Sequence, residues 1–454
     1  MNHKINLSEG PVFGNLIRFS FPLIFTNVLQ AIYNVADMSI TGHFTNPESM
    51  TAVNTSGQIT MIVLMIIVGF SNGTNIVTGQ LVGVEKTNDI KDVVQTTLPL
   101  FGLLAVIISI LLGILSTPLL HLLNMPLDAF LYAKKYLLIC LIGTIFVYIY
   151  NTLAAILRGL GDSLRPMIFM VISTVTNIVL DFVFMGIFGL GVTGAAIATV
   201  IAQCLSMVLI IIYFIKTTNY LSFKVTEWKN HSQIIKMVLK IGLPQACQFS
   251  ATQLSLLLIA AMVNNYGVVA AAAVGACNKA GSFAQLPGQA LNCGVLTATA
   301  QNLPKRNYRR IIQSMFCAMG LGIAISSGFC FIAFLSPATI LNLFTTNTDV
   351  ISAGTFYLTL MSIGFIFENI IYATTGIVSG AGYTPITMIA AMLSAIGRVI
   401  FAVILQETTD LGLYAISIAS IVAPMIPVII MIIVLTSGKW KISRIQAEIH
   451  SLNK

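Results

Sequence analysis

The stretch Ile156–Met167, ILRGLGDSLRPM, returns at a numbering offset of 221 as Ile377–Met388, IVSGAGYTPITM, and the pair decides how the chain is organised. Ile156/Ile377, Gly159/Gly380, Gly161/Gly382 and Met167/Met388 coincide. At the same offset Ala52 and Val53 fall on Ala273 and Val274, Gly73 on Gly294, Gln80 on Gln301, and LGVTGAAIAT on LGLYAISIAS. Helix one needs an offset of 222, which lays Pro22 over Pro244. A single offset that holds over so much of a chain marks an internal duplication.

The composition says what kind of element is duplicated. Of 454 residues, 57% are hydrophobic and 8% charged, and the mean hydropathy is +0.92, whereas a soluble domain carries roughly 25% charged residues. Apolar runs such as MIVLMIIVGF and LLAVIISILLGIL, with their flanks, are long enough to cross a hydrocarbon core of about 30 Å as helices. Twelve such spans are expected, at roughly 15–42, 51–81, 94–116, 129–157, 164–188 and 192–216, then 235–264, 269–301, 309–335, 351–379, 385–408 and 412–437. Six spans per half is an even number, so both halves enter the membrane from the same side, as parallel repeats about an axis along the membrane normal. The expected fold is therefore an all-α integral membrane protein of twelve transmembrane helices in two six-helix bundles related by a pseudo-two-fold axis. Residues 1–216 form the first bundle, 217–234 a linker, 235–437 the second bundle and 438–454 a tail.

The net charge of +8 is distributed asymmetrically. Nineteen of the 23 basic residues fall at the termini, around the linker and in alternate loops, among them Lys86, Lys91, Arg158, Arg165, Lys305 and Arg306. By the positive-inside rule the termini and linker are cytoplasmic, in a cell-membrane protein, and the charge requires no nucleic-acid partner. The seven cysteines lie inside the spans without CxxC or Cys/His spacing, so neither a disulfide framework nor a zinc site is expected. No cleavable signal is expected, because the first apolar stretch is too long.

Twelve helices in two parallel repeats, the GxG turn after helices four and ten, the GxxGAAxAT opening of helix six and the Pro22-to-Asp37 spacing together resemble the multidrug and toxic compound extrusion (MATE) family. The likeness covers nearly the whole chain. It implies export of cationic amphiphilic drugs or metabolites, driven by inward sodium or proton flow.

Asp181 sits in TNIVLDFVFMGIFGLG, among apolar residues. It is 15 residues past Pro166, and Asp37 is 15 past Pro22, so both lie about 22 Å along their helices at ~1.5 Å per residue. Thr199 reaches the same level from helix six, and Asn177 shares a helix face with Asp181. An ionised Asp at a helix centre costs roughly 2.5–3.5 kcal/mol, so two in one bundle point to a shared proton, a shared cation or a wet cavity. Sodium wants hard oxygens, which carboxylates, an amide carbonyl and a hydroxyl supply; a proton would sit on one of a coupled carboxyl pair. The residues do not choose between the two. The resemblance implies that Asp37, Asn177, Asp181 and Thr199 match the N-lobe cation and proton site of bacterial and archaeal members, with Asn151 lining the same cavity.

The second half differs. The offset carries Asn177 to Arg398, Asp181 to Ala402 and Thr199 to Ser420, so the acid pair is not repeated. Glu368 remains, at a position where some family members place a cation ligand, but their partner carboxylate on helix seven is Gln253 here. Glu368 and Arg398 have similar depths and are read either as a neutralised ion pair or as a ligand site in the substrate cavity. Lys279 lines that cavity or reaches Glu368. An Arg158–Asp162 pair is a candidate gate at the RGLGD turn.

The leading expectation is a secondary active antiporter for small organic cations, acting as a monomer in the lipid bilayer without a covalent cofactor. The alternative is a flippase of lipid-linked saccharides or polyprenyl intermediates, which calls for a basic cavity. The five histidines lie at ends or in loops, and nothing forms a nucleophile–base pair or an HExxH box, so an enzyme is not expected. A channel would need a pore-lining ring, which two repeats with acids to one side do not supply.

Overall fold

The computed structural model describes residues 4–123, 125–218, 220 and 231–451. The described residues are 87% helix and include no strand. The first half forms α1 (Val12–Phe44), α2 (Pro47–Gly83), α3 (Ile90–Leu122), α4 (Leu127–Gly159), α5 (Leu164–Asp181) and α6 (Gly191–Thr217). The second forms α7 (His231–Asn264), α8 (Val268–Asn302), α9 (Tyr308–Leu335), a short α10 (Pro337–Leu341), α11 (Thr348–Gly380), α12 (Thr384–Thr408), α13 (Leu413–Val422) and α14 (Met425–Thr436). Eleven helical spans are long and apolar enough to cross a membrane among the described residues. The twelfth expected span is present as α8, 35 residues long but less apolar, because it carries Asn278, Lys279, Gln285, Gln289 and Asn292. The last expected span divides at Ala423–Pro424 into α13 and α14, since proline removes a donor from the helix ladder. Most of the expected linker lies outside the described residues.

The GxG turns show why the duplicated stretch is kept. Gly161 has φ +87° and Gly382 φ +88°, a conformation that costs a side-chain-bearing residue about 1–2 kcal/mol. Each closes its helix with the same pair of bonds: Gly161 N–H to Arg158 O and Asp162 N–H to Leu157 O, then Gly382 N–H to Ser379 O and Tyr383 N–H to Val378 O. The first glycine of each motif serves packing. A Cβ on Gly159 would stand 2.7 Å from Thr78 Cβ and 2.9 Å from Asn75 O; on Gly380 it would stand 2.7 Å from Thr299 Cβ and 2.6 Å from Leu296 O. Thr78 and Thr299 are themselves related by the repeat offset, so α4 on α2 and α11 on α8 are one contact used twice.

Hydrogen bonds repeat in the same way. Ser173 Oγ donates to Ala202 O at 2.6 Å and Ser394 Oγ to Ala423 O at 3.0 Å. Ser56 Oγ donates to Ala133 O, and Cys277 Sγ, at the repeat-related position, donates to Gly354 O.

Two compact units result, one chiefly of residues 25–242, the other of 5–24 with 243–450. Their limits fall inside α1 and α7, close to Pro22 and Pro244. The start of α1 joins the second unit because Leu16 packs with Leu291 and Val295, and Phe19 with Ala298. Arg310 anchors the segment before it, donating to the carbonyls of Leu7 and Gly10 at 2.7 Å each. The start of α7 joins the first unit, where Ile234, Met237, Val238 and Ile241 are fully buried. A Cβ on Gly73 would stand 3.0 Å from Gly242 Cα, and one on Gly294 would collide with Ser20 Oγ, again at repeat-related positions. The residues expected as a tail pack onto the second unit: Trp440 is buried edge-on to Tyr308, and Arg444 N–H reaches Ala381 O at 3.1 Å.

Candidate ion-coupling site

In the first unit α1, α5 and α6 bring the expected residues together. Asp181 is fully buried at the last turn of α5, where the chain passes into a wider π-type turn over Phe182–Ile187 and Phe188 N–H bonds to Val183 O at 3.0 Å. Such widened turns recur at functional sites because they re-aim the side chains beside them. Asn177, one turn earlier, is also buried. In the orientation that satisfies both ends of its amide, Nδ2 donates to Asp181 Oδ2 at 2.9 Å and Oδ1 accepts from Thr199 N–H at 3.1 Å.

The amide clamps Asp181 with its donor end, while its carbonyl takes one hydrogen bond from Thr199 and keeps its second lone pair for a ligand. Tyr33, one turn before Asp37 on α1, adds a hydroxyl 3.5 Å from Thr199 Oγ1. Asp37 acts electrostatically on both Asp181 and Tyr33, so the two acids share one neighbourhood. Oδ1 of Asp37 and Oδ1 of Asp181 are each buried without a hydrogen-bond partner. A buried polar atom left unpaired costs about 1–3 kcal/mol, and more when it is charged. Two orphaned carboxylate oxygens with two hydroxyls beside them form a hard donor set that fits sodium, and the same pair fits a shared proton. No group of three or more His, Cys, Asp or Glu residues suited to a metal occurs among the described residues.

Tyr33 was not among the residues singled out from the sequence, although its i, i+4 relation to Asp37 was the available signal. Among the described residues no hydrogen bond joins Asn151 to the cluster; its amide donates to Val147 O at 2.9 Å, back onto its own helix.

The second unit is arranged differently. Glu368 on α11 and Arg398 on α12 are within Coulombic range but do not close into an ion pair, which corrects that expectation; Glu368 Oε2 and Arg398 Nε are buried without partners. Among the described residues no hydrogen bond links Gln253, on α7, to Glu368. Lys279 is exposed and lines a cavity of about 290 Å³ with Ala272, Gly275, Ala276, Phe344, Thr345 and Val350, instead of reaching Glu368. The Arg158–Asp162 pair does not form either. Asp162 turns forward into α5, accepting from Arg165 N–H at 3.2 Å and pairing with Arg165 Nη1 at 3.0 Å, because a short acidic side chain just ahead of a helix meets that helix's unpaired N–H groups.

A family model, MatE, matches the chain twice, over residues 22–183 and 244–404. The chain belongs to the MatE family. The starts of the two MatE matches are offset by 222 and their ends by 221, which is the duplication read from the sequence. As a family member this MatE chain is a multi-pass membrane transporter and not an enzyme. It is similar to the probable multidrug resistance protein YoeA of Bacillus subtilis, 27% identical over 351 residues and 76% of either chain. It is also similar to the multidrug export protein MepA of Staphylococcus aureus, 24% identical over 424 residues, 88% of this chain and 92% of MepA. Its fold matches that of an outward-facing multidrug resistance MATE family transporter with a TM-score of 0.88 at 22% identity, covering 99% of this chain and 98% of that one. It matches that of a MOP superfamily transporter from Pyrococcus furiosus at 0.89 and 22%, covering 99% of each.

Proposed function

We propose that this MatE chain is a secondary active antiporter that exports cationic amphiphilic drugs or metabolites by alternating access, driven by inward sodium or proton flow through Asp37 and Asp181. The observation that carries the reading is the buried pair itself: two carboxylates in one neighbourhood, each with an orphaned oxygen, one of them clamped by Asn177. Such a pair in a membrane calls for a shared proton, a shared cation or a wet cavity, and a coupling ion that comes and goes meets that need. Asp37 and Asp181 bind that ion, Asn177 orients Asp181, and Thr199 and Tyr33 offer hydroxyls to whatever enters. The names of the relatives YoeA and MepA agree with drug export. The loop charges support a reading in which the termini are cytoplasmic and the chain sits in the cell membrane, and the grouping of Asp37, Asn177, Asp181 and Thr199 in one unit agrees with a monomer.

The test is ethidium efflux from vesicles in which sodium and proton gradients are imposed separately, with Asp37→Asn and Asp181→Asn beside the parent. One gradient drives efflux in the parent and neither variant responds. Efflux that survives in both variants assigns the carboxylates a structural role. A parent that moves no cation under either gradient overturns the reading in favour of lipid-linked saccharide translocation.

A further inference from the structure

The second unit carries a charged cluster that ion coupling does not use. Arg398 lies one turn before Ala402 on α12, and α12 shares an apolar cluster with α11 through Ala402, Tyr357 and Leu358. Glu368 is 12 residues before the end of α11 and Arg398 is 14 past the start of α12, which at ~1.5 Å per residue brings them to within about 3 Å of the same level along these antiparallel helices. Opposite charges this near in a medium of low dielectric attract strongly, yet these two remain apart.

The turn around Glu368 is tightly packed. Asn369, beside Glu368, is buried, donates to Phe365 O at 2.8 Å, and fills the space that a Cβ on Gly288 of α8 or on Gly322 of α9 would need. The ring of Tyr372, one turn beyond Glu368, lies against the same Gly288, its Cδ2 2.7 Å from where a Cβ would stand. The turn that bears Glu368 is thus packed closely against both α8 and α9. The cluster also has an open side, because Gln289 is exposed and its Nε2 lies 3.5 Å from the Tyr372 hydroxyl.

We infer that Glu368 and Arg398 form a two-charge recognition site for zwitterionic amphiphiles, Glu368 taking the cationic group and Arg398 the anionic one. Each leaves a buried polar atom unpaired, Oε2 and Nε, and a ligand bearing both charges satisfies both at once. The guanidinium fork suits a carboxylate, sulfonate or phosphate oxygen pair. Tyr372 and Gln289 supply neutral polar groups at the entrance. The inference rests on the export reading and narrows it: molecules with an added anionic group are preferred rather than rejected.

Tetramethylrhodamine, a zwitterion, and its methyl ester, a cation, differ only at the carboxylate and make a matched pair of probes. Their binding to the purified full-length protein in detergent, without any gradient, is measured by fluorescence polarisation. The parent binds the zwitterion about tenfold more tightly than the ester, the value of one charge-assisted contact. Arg398→Gln brings that ratio close to one, while Arg398→Lys, which keeps the charge, retains part of it. Glu368→Gln weakens both dyes and leaves the ratio in place, so the inference is tested even if Arg398→Gln fails to fold. Equal binding of the two dyes by the parent, a ratio indifferent to Arg398, or affinities indifferent to Glu368 overturns it. If the ester binds but the ratio ignores Arg398, the inference falls and the export reading stands. If neither dye binds, both fall.

Discussion

The two units share a backbone plan and differ in what they bury at its centre. In the first, Asp37, Asp181, Asn177 and Thr199 converge. At the related positions the second has Ile259, Ala402, Arg398 and Ser420, and Ile259 and Ala402 belong to one apolar cluster. Ser420 turns its hydroxyl back onto Ile416 O at 3.0 Å. Meanwhile the framework contacts recur at related positions: the Gly159 and Gly380 approaches, the Gly161 and Gly382 turns, and the Ser173 and Ser394 bonds. Helix-on-helix contact tolerates few solutions, so it is retained, whereas a central position accepts any side chain whose polarity is matched by its neighbours.

The comparison breaks most sharply at the acids. Asp37→Asn and Asp181→Asn are expected to reduce gradient-driven efflux to that of protein-free vesicles, while Ser420→Ala in the second unit leaves it near the parent's. Efflux measured on all three decides whether one unit alone carries coupling. Placing acids in the other unit sharpens the contrast. Ala402→Asp puts a carboxylate into the apolar cluster one turn from Arg398, whose Nε is unpaired, so pairing offsets part of the roughly 2.5–3.5 kcal/mol cost of an intramembrane acid and the Tm of the purified protein falls by less than that cost alone implies. An Ala402→Asp variant as stable as the parent means that Arg398 neutralises the new acid, and a full loss of about 3 kcal/mol means that it does not reach it.

Framework substitutions act symmetrically if the units are packed alike. Gly159→Val and Gly380→Val each force α4 from α2 or α11 from α8, at about 1–3 kcal/mol, with similar losses of Tm. Unequal losses show that one copy of the contact has relaxed. Gly161→Ala and Gly382→Ala strain the left-handed turn by about 1 kcal/mol each. The smallest effect belongs to Tyr33→Phe, which removes one hydroxyl worth about 1 kcal/mol and lowers the apparent affinity for the coupling ion a few-fold, read from efflux against ion concentration.

The amino-acid sequence by itself determined the membrane class, the duplication, the positions of most spans, and the acids Asp37 and Asp181 with Asn177 and Thr199 beside them. Hydropathy, repeat offset and helical rise are properties of the chain read along its length, and a carboxylate inside an apolar run is conspicuous without coordinates. Only the tertiary structure decided which way each polar group turned. Asn177 presents its donor to Asp181, Tyr33 joins from α1, the Asn151 amide bonds back to its own helix, Asp162 chooses Arg165, and Glu368 and Arg398 do not pair. Those outcomes depend on which neighbouring atom is closer by an ångström or two, and on glycines such as Gly288 and Gly322 that set how near one helix comes to the next. The same reason explains the unit limits inside α1 and α7: a span boundary is written in hydropathy, but the allegiance of a helix turn is settled by the surface it packs against.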